Sequence, residues 1–488
     1  MKKIKILIVV TITLFTVSCG KSFLDVTPSN SAPSETSIAT LADARVLVNG
    51  LMRTMVRSTY YGRNFMIYGD AKGGDITIAS QGRGLDAMYV FNHTSNTNTY
   101  SSFWSDIYNS ILQANNIISG IEKLEAEGTT IDFKNYKGQA LTLRALMYFD
   151  LVRLYGKTYT QDKASWGVPV VTEVLPASAQ PLRNTVEETY TRILEDLTAA
   201  DDLLPKTKAN GYINYYGNRA IQARVYATMG NYDSAFAAAE SIITPNAYSL
   251  YSNAEWVGSW ATQFGKESIF ELLMAKEQGE LGSGSLGFYY LRSRDNNALG
   301  NFIASDYYLE RLNEDPTDVR WGIMTNDEIA TTRKGACYKY VGSVTKSGDD
   351  PGKPYTAVNI KVIRLSEIYL IAAEAALKKA TPDATKAANY LNLIRKRAPA
   401  LAPVTPANVT EQLILDEKSK EFICEGQRYF DMLRANKSIT FNDEHVGVTM
   451  QHRPKTIDRA FNKAILPIAL SEINANPGLE SQQNPGYQ

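Results

Sequence analysis

Three cysteines and three histidines in 488 residues leave little material for metal or thiol chemistry. His93, His445 and His452 form no metal-ligand spacing with Cys19, Cys337 and Cys424, and no CxxC or HExxH occurs. That argues against a zinc site and against a cysteine–histidine nucleophile. An excess of either charge is also missing, since 51 basic residues face 51 acidic ones. A broad nucleic-acid footprint needs a basic surplus, so that class of partner is excluded as the main one. The apolar run Ile6 to Val17 falls short of the ~20 residues that a spanning helix needs.

What is abundant is tyrosine, 29 against 16 phenylalanines. Tyrosine offers an apolar face with a polar tip, which suits wet binding surfaces and half-buried helix contacts alike. The most patterned stretch is EQLILDEKSKEFICEGQRYFDMLR, from Glu411 to Arg434. Leu415, Phe422, Phe430 and Leu433 recur at helical spacing, and Glu417, Glu421, Glu425, Arg428, Asp431 and Arg434 fill the other positions. Gly426 interrupts a good helix former at a penalty of about 1 kcal/mol relative to alanine. It marks either a close approach by another helix or a break between two helical pieces. The carboxylates beside arginines read as ion pairs locking this helix to its neighbours, in preference to an acid/base site. Cys424, beside the stripe, reads as a small buried hydrophobe, and an oxidising compartment would permit its pairing with Cys337.

Helical pairs recur along the chain. Leu41 to Met55 is amphipathic, Phe103 to Leu124 precedes Tyr136 to Tyr155, and Asn184 to Leu204 precedes a stretch read as one helix from Asn218 to Ile243. A further pair runs from Arg364 to Lys379 and from Pro382 to Arg397. Alanine and glycine at the contact positions let such helices approach closely, as in tetratricopeptide-type repeats. Two irregular excursions interrupt the rhythm, at about 60–98 and 252–359. The first is glycine-rich. The second is rich in aromatics, with Ser305 to Leu312 expected as helix, short strands expected near Tyr338 to Val344, and Asp318-x-Arg320 expected as a structural turn. Loops carried on a rigid scaffold are where binding groups concentrate.

Residues 1–18 read as an export signal: Lys2, Lys3 and Lys5, then the apolar run, then Thr16-Val17-Ser18 before Cys19. The end resembles a bacterial lipoprotein signal, with Thr16 where leucine is usual. An ordinary secretory signal with an incidental cysteine is the alternative. Residues 19–40 would then be a lipidated tether, and 41–488 a single domain.

The run EFICEGQRYFDMLR resembles the "EF-x-x-EG-x-R-x-x-D-x-x-R" signature of SusD/RagB-type outer-membrane nutrient-binding lipoproteins. Further motifs fall in the family's order. They are Phe23-Leu24-Asp25, the helix containing Trp104 and Asn115, and Arg144-Ala145 through Tyr155-Gly156. They continue with Arg364 through Ala375, Leu391 through Ala398, Leu466-Pro467-Ile468, and the closing Gln483-Asn484-Pro485-Gly486-Tyr487. The resemblance implies a mostly α fold, a tetratricopeptide-like helix-pair scaffold with long ligand-binding insertions. It also implies capture of an oligosaccharide or polysaccharide at the outer membrane, with hand-off to a SusC-like TonB-dependent transporter, and no cofactor. A peptide ligand, or a non-catalytic protein-interaction scaffold, is the alternative. By the family's loop placement the candidate contacts are Asp75, Arg83, Tyr89, Phe91, Asn92, Tyr289, Tyr290 and Trp321, with Cys19 as the lipid attachment site. Aromatic rings would meet sugar faces, and Asp, Asn and Arg side chains would meet hydroxyls. A hydrolase would instead need two carboxylates roughly 5–10 Å apart across a cleft, and no motif pairs two of them.

Overall fold

The computed structural model describes residues 38–487, apart from 83, 97–99, 275–281, 292–297, 329–330, 341–357 and 448–451. Cys19 and nearly all of the tether thus lie outside the described residues. Helix α1 spans Leu41–Met55, as its apolar spacing predicts, and Thr40 caps it in a reciprocal box with Asp43. The first excursion is less irregular than expected. Asn64–Ala71 forms helix α2, every residue of it buried. A helix buried on all sides has no amphipathic period to read, so sequence spacing could not show it.

The scaffold is a run of antiparallel helices: α3 (Ser101–Ala126), α4 (Lys134–Tyr155), α5 (Val186–Asp201), α6 (Tyr215–Met229) and α7 (Tyr232–Ile243). Each packs on the next. The stretch expected as a single helix from Asn218 to Ile243 is two. Gly230 ends α6 with φ +74°, and the Asn231 side chain caps α7 by accepting from the Ser234 N–H. A glycine in the left-handed region followed by a capping asparagine is a helix stop and a helix start in two residues.

After the insertion, which contains helix α8 (Asp306–Leu312), come α9 (Leu365–Lys378), α10 (Ala384–Arg395), α11 (Glu411–Phe422) and α12 (Arg428–Arg434). Helix α9 packs on α7, α6 and α10, which closes the array. Guanidinium forks lock these helices across the interior. Arg144 grips Asp196 with two bonds of 2.7 Å, joining α4 to α5. Arg224 grips Glu367 with two of 2.6 Å, joining α6 to α9. Arg434 grips Glu374 with two of 2.7 Å, joining α12 to α9. Burial alone would raise the Glu374 carboxyl, but Arg434 and Lys418 beside it hold it at about 2.

Both readings of Gly426 hold. The signature helix breaks between α11 and α12, with Cys424 at φ +63° and Gly426 at φ +71°, and α2 crosses at backbone distance there. The carboxylates of α11 and of this break are engaged in ion pairs. Glu417 accepts from Arg320 at 2.7 Å, and Glu421 and Glu425 accept from Arg364 at 3.0 and 2.8 Å. Arg320 is fully buried and also grips Asp318, so the expected turn is a structural one. Cys337 and Cys424 are buried free thiols.

Among the described residues four two-stranded antiparallel sheets accompany this frame. Strand β1 (Ile76–Ile78), from the first excursion, pairs with β3 (Phe302–Ala304), from the second, in the register Ile76↔Ala304. Strand β2 (Ser268–Leu272) pairs with β6 (Ile360–Arg364), and β4 (Met324–Thr325) with β5 (Ala336–Cys337). The strand expected near Tyr338 thus lies just before it, and 341–344 are outside the described residues. Ile439–Thr440 and Thr456–Ile457 form the last pair, β7 and β8.

Candidate ligand-binding site

The β1–β3 ladder brings residues 80–82 and 84–86 against Leu299, Gly300 and Asn301, just before β3. Gly82, at φ +74°, donates its N–H to the Asp86 carboxylate at 2.8 Å, and Leu85 sits at φ +60°. A left-handed leucine is strained, and such backbone persists only where surrounding structure holds it. Asn301 does part of that holding. Its carbonyl accepts from the Ala79 N–H at 2.8 Å, its side-chain oxygen from the Ser80 N–H at 3.3 Å, and its amide donates to the Gly84 carbonyl.

Opposing these residues is the short helix Gly287–Tyr290, with Leu299 and Gly300 both donating to the Phe288 carbonyl. A Cβ on Gly84 would lie 3.1 Å from Leu299 and 3.5 Å from the Tyr289 ring, so the glycine lets the two loops close on each other. Arg63 reaches the same place, donating to the Ser283 carbonyl at 2.6 Å with its guanidinium 5.4 Å from the Tyr289 ring centroid. Gln81, Gly82, Gly84 and Ser283 are exposed around this point. The result is a polar face with one tyrosine edge at its seam.

The eight candidate contacts separate clearly. Tyr289 is buried at the seam, with 6% of it exposed, and Arg83 lies outside the described residues. Asn92 is exposed at the far end of the short helix Ala87–Val90, where its N–H donates to the Ala87 carbonyl. Trp321 is half-buried on the turn Val319–Ile323, which is tied to the segment just after α10 by a bond from the Val319 N–H to the Arg397 carbonyl. The other four are corrected to internal groups. Asp75 is buried between Arg311 and Arg428, at 3.1 Å from each. Tyr89 is buried and donates to Asp443 at 2.9 Å. Tyr290 is buried and donates to Asp70 at 2.6 Å. Phe91 is buried too, at φ +58°, with the Lys72 ammonium nitrogen 3.1 Å from its centroid. Sequence spacing missed Arg63, Leu299 and Asn301. Gly84 belonged to a stretch flagged for its glycines, whereas Asn301 gave no signal at all.

Lys72 carries a prediction of its own. It is fully buried beside Phe91, Tyr68 and Tyr100, and its nitrogen has no hydrogen-bond partner among the described residues. Burial, with Arg453 and Lys463 nearby, pushes its pKa well below the usual lysine value. An unfolded chain takes up a proton there below about pH 10.4, and the folded chain resists it, so the residue opposes folding at neutral pH. Lys72→Met is expected to raise the thermal midpoint at pH 7, with the gain shrinking as pH approaches 10. Melts of the two proteins across pH 6–10 check both the sign and the trend.

A frame of helical hairpins carrying two long excursions defines the class, a mostly α, tetratricopeptide-like scaffold. The chain belongs to the SusD family, whose model matches residues 190–487, and a second model, described as starch-binding associating with outer membrane, matches residues 22–230. A SusD superfamily protein from Bacteroides thetaiotaomicron has the same fold, with TM-score 0.81 and 34% identity over 92% of this chain and all of that one. SusD-like protein P2 of Formosa agariphila is 26% identical across the full length of both chains. Starch-binding protein SusD of Bacteroides thetaiotaomicron is 35% identical over 144 residues, 28% of this chain and 24% of that one. The family expected from the motifs is the family found; one of its models is described as starch-binding, and one of the relatives is a starch-binding protein.

Proposed function

We propose that this chain is a lipid-anchored outer-membrane protein that captures a glycan and passes it to a SusC-like TonB-dependent transporter without breaking bonds. The anchor would be Cys19 at the end of the export signal. More than one acyl chain is needed for stable attachment, which is what lipoprotein processing supplies. The family description "associating with outer membrane" supports the location, and no helix among the described residues is long and apolar enough to cross a membrane.

The observation that carries the reading is the meeting of two excursions, far apart in sequence, around Tyr289 and Gly84. A sugar ring placed there would have the tyrosine edge for its apolar face. The Arg63 guanidinium and the backbone amides and carbonyls of residues 80–82 and 84–86 would serve its hydroxyls. Sugars surrender many water contacts on binding, so affinity is expected to be modest. Tyr289→Ala is expected to weaken binding of neutral glucans about tenfold or more, as loss of a central aromatic does, with an unchanged circular dichroism spectrum. Calorimetry against starch-type and laminarin-type oligosaccharides checks this. Equal affinity in the variant, or binding of peptides only, would overturn it.

A further inference from the structure

The ligand face rests on a single helical turn, Gly287–Tyr290, closed by a bond from the Leu291 N–H to the Gly287 carbonyl. One turn of helix has no stability of its own in water, so its place is set by what holds it. Tyr289 and Tyr290 leave that turn in different directions. Tyr289 goes to the seam beside Gly84, and Tyr290 goes into the interior, where it is fully buried.

The Tyr290 hydroxyl donates to Asp70 Oδ2 at 2.6 Å. Asp70 is buried near the end of α2, and its Oδ1 accepts from the Gly426 N–H at 3.0 Å. The Tyr290 ring also stacks on Tyr340, with centroids 6.1 Å apart and planes inclined by 23°. Tyr340 in turn donates its hydroxyl to the Cys424 carbonyl at 2.7 Å. Cys424 and Gly426 are the two left-handed residues of the α11–α12 break. At the other end of α2 is Arg63, which donates to the Ser283 carbonyl and stands beside the Tyr289 ring. Helix α2 therefore meets the ligand face at both of its ends. A buried tyrosine that finds a carboxylate is ordinary core chemistry. What sets this one apart is its place, since its neighbour in the chain is the aromatic group of the face.

We infer that Asp70 and Tyr290 are positioning residues for glycan capture: the bond between them fixes the Gly287–Tyr290 turn, so that the Tyr289 ring is held at the seam before any ligand arrives. Neither side chain touches the sugar. Binding to a preformed surface avoids the entropy of ordering it, so loss of the bond lowers affinity through Tyr289. The inference rests on the Tyr289 face being the glycan site, and adds that this face is held in place from the α11–α12 break.

The test is calorimetry of the full mature chain with maltohexaose and laminarihexaose, at a temperature well below the melting midpoint of every variant. Tyr290→Phe keeps the ring and removes only the hydroxyl. It is expected to weaken binding about threefold or more, with an unchanged circular dichroism spectrum. Asp70→Asn can still accept from Gly426 and can donate its amide to the Tyr290 oxygen, so it is expected to bind within about twofold of the parent. Added to Tyr289→Ala, Tyr290→Phe is expected to cost no further affinity, because the ring it positions is gone. A merely structural bond would behave differently. It would give Tyr290→Phe a lower melting midpoint with parental affinity, or losses that add in the double variant, and either result overturns the inference. Affinity lost in Tyr289→Ala and kept in Tyr290→Phe sinks the positioning role and leaves the face standing. Affinity kept in both single variants removes the face as well.

Discussion

Arg364→Met is expected to destabilise the protein by about 3–5 kcal/mol, the usual effect of stranding buried charges. Arg364 donates from Nε and Nη2 to Glu425 at 2.9 and 2.8 Å, and from Nη1 to Glu421 at 3.0 Å. Its guanidinium also lies 5.0 and 5.2 Å from the ring centroids of Trp260 and Phe422. All three charged residues are buried. Without the arginine, Glu425 keeps Lys339 at 2.6 Å, while Glu421 keeps a bond from the Trp256 indole N–H at 3.3 Å and the more distant Arg320 at 3.6 Å and Arg397 at 3.9 Å. Against a total stability of about 5–15 kcal/mol, that is a large share.

The direction with pH follows from the carboxylates. Burial by itself would raise Glu421 and Glu425, but Arg364 is the strongest of the charges holding both below their usual range. Their contribution is therefore fully present above the unfolded pKa and fades as pH falls below about 4.3. In the variant the stranded carboxylates take up protons, so its deficit is expected to be greatest at neutral pH and to narrow in acid. Adding Glu421→Gln should recover part of the loss by removing the stranded charge, whereas Glu425 still has Lys339 beside it. Thermal and denaturant midpoints at about pH 7 and about pH 3.5, on either side of the usual carboxylate range, measure all of this. A variant that melts like the parent at pH 7 would show that the pairs contribute nothing.

Gly69→Ala is expected to prevent folding or to exceed the ~3 kcal/mol upper end of ordinary overpacking. A Cβ at Gly69 would overlap the carbonyl oxygen of Gly426, which is backbone against backbone and has no rotamer to yield. Gly426 is fixed from its own side, since its φ of +71° is strained for any L side chain and its Cβ would come within 2.9 Å of the Met66 Cα. Gly50 is the internal control. It lies inside α1 with nothing within 4 Å of its Cβ position, so Gly50→Ala should stabilise by about 1 kcal/mol through helix propensity. Soluble yield and melting midpoints of the two variants test the contrast. Wild-type behaviour of Gly69→Ala would mean that α2 and the α11–α12 break are not in contact.

The scaffold was legible in the sequence because amphipathic helices carry their burial pattern on one face. The bounds of α1 and the α9–α10 pair came from that period, and the breakage of the signature helix was foreshadowed by Gly426. The acid–base pattern of that helix was correctly readable as structural, yet the partners were not. Arg364 and Glu425 are 61 residues apart, and nothing local marks which of many arginines meets which carboxylate.

The binding face was legible only as two regions. Tyr289 and Tyr290 are neighbours with the same side chain, and both fit a ring for sugar. In the short helix that carries them, successive side chains diverge by about 100°, so one reaches the seam beside Gly84 and the other turns inward to Asp70. Tyr89 and Phe91 were drawn inside by Asp443 and Lys72 in the same way. By itself, then, the sequence determined the helical frame, the family and the two stretches that leave the frame. Tertiary structure decided which side chains of those stretches face outward, because the direction of a side chain in an irregular loop is set by the strand pairing and the buried partners that hold the loop, and these come from distant parts of the chain.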